Sequence, residues 1–225
     1  MKTIRSGMII LMGFALALSS CNQGPGGTRA ETKEATELKI TDGTQIPVNT
    51  EKSRIEWTGS KPTGNHHGTV MIREGYVTVK NGEINGGEFV IDLQTIVNED
   101  LDDPDMNAQL VGHLKSSDFF HVDSFPVATF VITRVEKKDD IPGVEGEFKS
   151  THLITGNLTM KGIIRGISFP GRVYREGEIY VGETNSFTID RTAWGVNYGS
   201  QKIFDNLKDQ FIYDEMGLKI SIVTD

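Results

Sequence analysis

From Pro47 to the end of the chain, apolar side chains recur at every second position in short runs. This period is typical of β-strands that bury one face and expose the other, as antiparallel strands do. Turn-forming residues separate the runs, among them Asn81-Gly82, Asn85-Gly86-Gly87 and Arg73-Glu74-Gly75. We therefore predict eight or nine strands at hairpin spacing. Their apolar positions are Ile55/Trp57, Val70/Ile72, Val77/Val79, Phe89/Ile91/Leu93, Phe130/Ile132, Ile154/Leu158/Met160, Ile167/Phe169/Val173, Phe187/Ile189 and Met216/Leu218/Ile220/Ile222.

One stretch has a helical period instead. Asp103 is a favourable N-cap, Pro104 suits the first helical position, and Lys115 complements the helix dipole in the last turn. A single apolar stripe follows the spacing i, i+4, i+5, i+8 through Met106, Leu110, Val111 and Leu114. We expect a helix over Asp103–Ser117 that lays this stripe on a sheet or across the mouth of a barrel.

So many strands with one helix favour a particular fold class. We predict a mostly β protein, a single antiparallel β-barrel of about eight strands with one main α-helix at one end. Closure of the sheet would remove the exposed edges that an open sheet presents. A sandwich of two sheets is the alternative that the pattern leaves open.

The first 20 residues have the pattern of an export signal. Lys2 and Arg5 precede an apolar run from Met8 to Leu18, which is short for a membrane span. Leu18-Ser19-Ser20-Cys21 then resembles a bacterial lipobox, in which the cysteine is acylated and becomes the mature N-terminus. We interpret residues 1–20 as a lipoprotein signal peptide and Cys21 as the lipidation site. The alternative is an ordinary signal followed by a stray thiol.

Residues 21–46 contain almost no large apolar side chain and are rich in Gly, Thr, Glu and Lys. Such a segment buries too little surface to order itself. We predict a flexible, lipid-anchored tether with a root-mean-square span of roughly 27 Å, followed by a barrel domain over residues 47–225. A short strand near Leu38–Ile40 is the alternative for part of this segment.

Charge and cysteine content exclude several classes of partner. The formal net charge is −8, and removal of residues 1–20, which carry two cations and no acid, leaves −10. An acidic surface argues against binding to nucleic acid and against docking onto anionic lipid. With Cys21 as the sole cysteine, no disulfide forms within the chain. A homodimer is one assembly that the sequence permits.

Candidate catalytic and metal-binding residues do not form a recognisable motif. The adjacent His66 and His67 point to opposite faces of a strand, and the acidic run Glu99–Asp105 lacks the glycine and the final glutamate of an EF-hand loop. No Gly-x-Ser-x-Gly elbow and no phosphate-binding loop is present. We therefore expect a protein that is not an enzyme, with no metal and no cofactor. An enzyme would have to use His66, His67 and Asp190.

The predicted inward faces of the strands are strongly apolar. A barrel of eight strands is either filled by its own side chains or holds one small ligand, and periodicity alone favours neither. If it holds a ligand, that ligand must be hydrophobic, and the helix and the aromatic pair after it would form a lid or end wall. The candidate lining residues are Trp57, Phe89, Ile91, Leu110, Leu114, Phe119, Phe120, Phe130, Ile132, Leu158, Phe187, Ile189, Leu218 and Ile220.

Three longer segments are distinctive: His113-Leu-Lys-Ser-Ser-Asp-Phe-Phe-His-Val-Asp-Ser-Phe-Pro-Val-Ala-Thr-Phe130, Leu153-Ile-Thr-Gly-Asn-Leu-Thr-Met-Lys-Gly-Ile-Ile-Arg-Gly-Ile-Ser-Phe169 and Phe187-Thr-Ile-Asp-Arg-Thr-Ala-Trp-Gly-Val196. Together they resemble the YceI-like family of binding proteins. The resemblance spans roughly Pro47 to Val223. It implies a lipocalin-like barrel whose interior binds a long amphiphile, of the isoprenoid quinone, polyprenyl or fatty-acyl type, and an exported protein without catalytic residues.

Combined with the lipobox, this resemblance gives a functional expectation. The protein would be anchored to a membrane of the bacterial cell envelope, at its periplasmic face or the cell surface, and would bind or carry a hydrophobic chain. Trp194 would lie at a loop tip near the pocket entrance. The alternative is an envelope protein-interaction module with a packed, ligand-free barrel.

Overall fold

The computed structural model describes residues 24–38, 42–139, 141, 144 and 146–225, and within them it contains twelve strands. The strands are β1 (Thr28–Arg29), β2 (Glu31–Lys33), β3 (Thr44–Pro47), β4 (Arg54–Lys61), β5 (Gly64–Lys80), β6 (Glu83–Asn98), β7 (Val127–Lys137), β8 (His152–Met160), β9 (Ile163–Glu176), β10 (Ile179–Glu183), β11 (Phe187–Asp190) and β12 (Glu215–Val223). The helical elements are α1 (Pro104–Lys115) and two 3₁₀ turns, Arg191–Trp194 and Lys208–Gln210.

Eight of these strands, β4 to β10 and β12, close into an antiparallel barrel. Each strand from β4 to β9 pairs with the next strand along the chain, and β10 pairs with β12. The ring closes where β12 pairs with β4, with Leu218 opposite Trp57. The predicted barrel is therefore confirmed, and the sandwich is excluded because no strand of this ring has an unpaired edge along its whole length.

Two of the predicted turns lie inside strands. Residues 73–75 belong to the 17-residue strand β5, where Ile72 faces Ile91 and Glu74 faces Val90, so the extra Arg73 forms a β-bulge. Residues 85–87 likewise lie within β6. The hairpin between β5 and β6 forms instead at Asn81-Gly82, where φ is 54° and 81°. Two consecutive positive φ angles are those of a type I′ turn.

Helix α1 follows the expected capping pattern and covers one end of the barrel, here called the helix end. The Asp103 carboxylate accepts hydrogen bonds from the backbone N–H groups of Asp105 and Met106. Only the last turn of the apolar stripe is buried, with Leu114 at 9% exposure and Met106 at 56%. The loop of residues 191–214, which joins β11 to β12, lies at the same end.

The predicted flexible tether is wrong for residues 24–38, here called the N-terminal strap. Between the first half of β9 and β11 the barrel wall has a gap, since β9 pairs with β10 only beyond Gly171. Strand β1 pairs with β11 and β2 pairs with β9, so the strap fills this gap. Ala30 is buried there, and its N–H donates to the Thr188 carbonyl over 2.8 Å. The signal peptide, Cys21 and residues 39–40 lie outside the described residues.

Among the described residues, no helix combines the length and the apolar character that a bilayer span requires.

Candidate functional site

The barrel contains a cavity of about 210 Å³ whose walls are almost wholly apolar. Protein interiors are otherwise close-packed, with few voids larger than a water molecule. The lining extends from Leu114, Phe119 and Phe120 at the helix end to Val135, Val173 and Ile222 near the opposite end. The space therefore follows the barrel interior over most of its length, and its chemistry suits an apolar guest.

Of the fourteen lining residues proposed from the sequence, the structure places all but Leu110 at the cavity wall. Leu110 is half-buried and packs against the core beside α1, because the helix turns only its last turn toward the barrel. The thirteen at the wall are Trp57, Phe89, Ile91, Leu114, Phe119, Phe120, Phe130, Ile132, Leu158, Phe187, Ile189, Leu218 and Ile220.

Four phenylalanines form a continuous chain of ring contacts along the wall. The ring of Phe130 lies 6.5 Å from that of Phe89 and 5.6 Å from that of Phe169, and the Phe169 and Phe187 rings stack at 4.5 Å. They come from β6, β7, β9 and β11, each from an inward-facing position. Such contacts hold the rings in fixed orientations, so the cavity wall is preformed.

The helix end of the cavity is closed by the segment after α1. The backbone N–H of Phe120 donates to the Leu114 carbonyl over 3.1 Å, which folds the segment back onto the helix. Phe119 and Phe120 are buried and contact the cavity. Their position is that of the end wall expected from the sequence.

A buried arginine at this end was not anticipated among the lining residues. Arg191 is 3% exposed, and its guanidinium donates to the carbonyls of Val196 (2.6 Å), Ile212 (3.1 Å) and Tyr213 (3.2 Å). Burial lowers the pKa of Arg191 below its usual value, and the charge of Asp214, 3.8 Å away, opposes that shift. Its hydrogen bonds tie both ends of the 191–214 loop together beside the cavity.

Trp194 lies elsewhere than at a loop tip. It is fully buried at 0% exposure, and its indole N–H donates to the Leu158 carbonyl over 2.9 Å. The 3₁₀ turn that carries it begins at Asp190 and ends at Gly195, whose φ of 70° reverses the chain. This tryptophan therefore anchors the loop to β8 and does not line the cavity entrance.

The histidines considered as metal ligands have structural partners. The Nδ1 atom of His66 lies 2.8 Å from Asp100, and the same carboxylate accepts the backbone N–H of His67. Burial would raise the pKa of Asp100, but these hydrogen bonds outweigh burial and lower it below 3.8. Within the described residues, no three His, Cys, Asp or Glu side chains converge as a metal site would require.

Asp190, the third residue considered for catalysis, also stabilises the fold. Its carboxylate accepts hydrogen bonds from the Thr192 N–H (3.0 Å) and from Lys202 Nζ (2.8 Å), and it lies 3.5 Å from Arg29. Although burial pushes the pKa of Asp190 upward, these partners hold it below 3.8. Asp190 thus joins the N-terminal strap, the 3₁₀ turn and the 191–214 loop.

Comparison with known proteins identifies the family. A family model of the YceI-like domain matches residues 47–224. The fold is similar to BcnA of Burkholderia cenocepacia (TM-score 0.53, 20% identity, 79% of this chain and 99% of that chain). It is also similar to a polyisoprenoid binding domain from Saccharophagus degradans implicated in plant cell wall breakdown (TM-score 0.55, 15% identity, 80% of this chain and 97% of that chain). No curated protein matches the sequence. Because the family model covers most of the chain, the protein belongs to the YceI-like domain family.

Proposed function

We propose that this protein binds a long hydrophobic amphiphile, polyisoprenoid or fatty-acyl in type, inside the barrel and carries it within the bacterial cell envelope. The observation that carries this proposal is the 210 Å³ apolar cavity. Burial of each CH₂ group contributes about 0.8 kcal/mol, so an extended chain is held without any ion pair. A protein-interaction module with a packed, ligand-free barrel would not contain such a cavity.

The family and its fold support the class of ligand. The similar domain from Saccharophagus degradans is described as binding a polyisoprenoid. In this chain, the ring contacts of Phe89, Phe130, Phe169 and Phe187 form a wall that suits a chain of branched or linear apolar units. Two of the three charged lining residues, Arg191 and Glu215, lie toward the helix end, where a polar head group would be placed, and the third, Glu183, lies on β10.

The N-terminal sequence supports a membrane-anchored location. The lipobox-like Leu18-Ser19-Ser20-Cys21 follows a basic start and an apolar run, which supports export and acylation of Cys21. Two or three acyl chains give lasting anchorage, whereas one gives marginal binding. The protein would act as a membrane-anchored carrier without catalysis.

A chain-length titration tests the binding function. Trp57 lines the cavity, and the fluorescence of the two tryptophans reports binding by delipidated protein. We expect the affinity for a series of fatty-acyl and prenyl amphiphiles to rise about fourfold per added CH₂ until the cavity is full. An affinity that does not change with chain length would contradict the proposal.

The Phe130→Asp variant provides the site-specific arm of this experiment. With a carboxylate at the cavity wall, the variant should no longer bind amphiphiles of any chain length, because a buried charge next to an apolar guest is strongly unfavourable. Met71→Asp is the matched control, since Met71 is 52% exposed on the outer face of β5. Phe130→Leu, which keeps the wall apolar, distinguishes loss of the site from loss of the fold and should still bind.

A further inference from the structure

The loop between the 3₁₀ turn at Arg191–Trp194 and β12 has an apolar base and an apolar tip. At its base, Val196, Ile212 and Tyr213 line the cavity. At its tip, Ile203 and Phe204 are each 47% exposed. One loop therefore connects the cavity with a pair of large apolar side chains that point toward solvent.

This tip is held in place by hydrogen bonds. The Ile212 N–H donates to the Gly199 carbonyl over 2.9 Å, which closes the base of the loop. The N–H groups of Ile203 and Phe204 both donate to the carbonyl of Ser200, a fully buried residue. The two side chains are thus presented on a fixed turn.

The N-terminal strap leads to the same place. Gly24 packs on Tyr213 so closely that a Cβ at Gly24 would lie 3.3 Å from Cγ of that ring, and a Cβ at Gly217 would lie 3.1 Å from Cβ of Pro25. Within the loop, Lys202 Nζ contacts Asp190 at 2.8 Å and Asp214 at 3.2 Å. Lys202 immediately precedes Ile203, so the strap and the loop tip share one corner of the helix end.

Cys21 precedes Gly24 by three residues, which span at most about 11 Å when fully extended. An acyl group on Cys21 would therefore hold this corner close to the membrane, and not at the end of a long tether. We propose that the 197–213 loop is a membrane-contact surface, with Ile203 and Phe204 inserted among the lipid acyl chains. This inference rests on the proposed acylation of Cys21.

The chemistry of the corner favours insertion over electrostatic attraction. Lys202 is paired with two carboxylates, and the chain carries a net negative charge, so anionic lipid has no strong attraction for it. Ile203 and Phe204 instead provide apolar area, which contributes to binding at neutral lipid. The helix end of the cavity would then face the bilayer, where a hydrophobic ligand resides.

Site-specific fluorescence on the full-length protein tests this surface. Cys21 is the sole cysteine and would be acylated, so a cysteine introduced by Phe204→Cys takes a single environment-sensitive label. The labelled lipoprotein is reconstituted in phosphatidylcholine vesicles that contain lipids brominated along the acyl chain. Met71→Cys, at similar exposure on the barrel wall, is the matched control.

We expect the label at position 204 to shift to the blue and to be quenched by the brominated lipid, while the label at position 71 remains as in water. Replacement of Ile203 and Phe204 by serine in a Cys21→Ser chain should weaken binding to the same vesicles by about tenfold or more. Equal, water-like signals at positions 204 and 71 would overturn the proposal. So would shielding of position 204 that rises with protein concentration without vesicles, which would show that a second copy covers this face.

Membrane contact by the 197–213 loop and ligand binding by the barrel are tested by different experiments. Two labels per Phe204→Cys chain would show that Cys21 is not acylated, which removes the basis of the membrane-contact proposal. The chain-length titration measures ligand binding in delipidated protein and is independent of the membrane. Binding of amphiphiles with a water-exposed position 204 would retain the carrier and reject the contact surface.

Discussion

Ala128 offers a direct test of whether the barrel is hollow. This residue lies on β7 opposite Ile91, is 3% exposed and lines the cavity. The substitution Ala128→Leu adds three carbon atoms at the wall. In a hollow interior they occupy empty space, whereas in a filled interior they force their neighbours apart.

The two cases differ in the sign of the stability change. At about 0.8 kcal/mol per buried carbon, accommodation in the cavity raises the free energy of unfolding by up to about 2 kcal/mol. Overpacking of a filled core lowers it by about 1–3 kcal/mol. We expect a rise, together with weaker binding of amphiphiles, because the new side chain and the ligand compete for the same space.

Urea unfolding of delipidated wild type and variant, followed by circular dichroism, measures this difference. Ala30→Leu is the matched control: Ala30 is also buried, at 4% exposure, but it lies in the N-terminal strap away from the cavity wall. There the same three carbons should destabilise the protein. Destabilisation of Ala128→Leu as large as that of Ala30→Leu would refute the hollow interior.

Three further predictions concern the helix end and the strap. Arg191→Met removes three hydrogen bonds to loop carbonyls and the buried cation beside Asp214, which keeps Lys202 as its ionic partner, so urea unfolding should show a loss of about 3–5 kcal/mol, and a loss below 1 kcal/mol would contradict this role. Asp190 has a lowered pKa in the folded protein, so its contribution is present above its unfolded pKa of about 3.9 and disappears as the pH falls through the folded value. Asp190→Asn should therefore flatten the decline in stability below about pH 4, and an unchanged pH profile would contradict the assignment. Gly166→Ala places a Cβ 2.7 Å from the Glu34 carbonyl oxygen and should speed protease cleavage within residues 24–38 while the barrel stays folded, whereas Gly182→Ala, where a Cβ meets nothing within 4 Å, should not.

The sequence pattern predicted the features that depend on local periodicity. Alternation placed Trp57, Phe89 and Phe130 on inward faces, because side chains of a strand point alternately to its two sides. Asp103 marked the start of the helix, since a short polar side chain there satisfies free backbone N–H groups. The turn at Asn81-Gly82 followed from the positive φ angles that these residues tolerate.

The features that the sequence did not predict depend on contacts between distant segments. The strap has little apolar character of its own, and it is ordered because β9 and β11 leave a gap that its backbone fills. In the sequence, Arg191 resembles any surface charge, because its hydrogen bonds are to the carbonyls of Ile212 and Tyr213, about 20 residues further along the chain. A cavity and a filled core share the same alternation, so the space inside the barrel became apparent only with the fold.

Organic extraction of the protein purified from its native cells, followed by mass spectrometry, tests the central claim most directly. We predict one long-chain amphiphile per chain, retained by wild type and absent from Phe130→Asp, with Met71→Asp retaining it as wild type does. Extracts that contain no lipid beyond any acyl groups on Cys21, from protein that is otherwise folded, would contradict the claim that the barrel carries a hydrophobic chain.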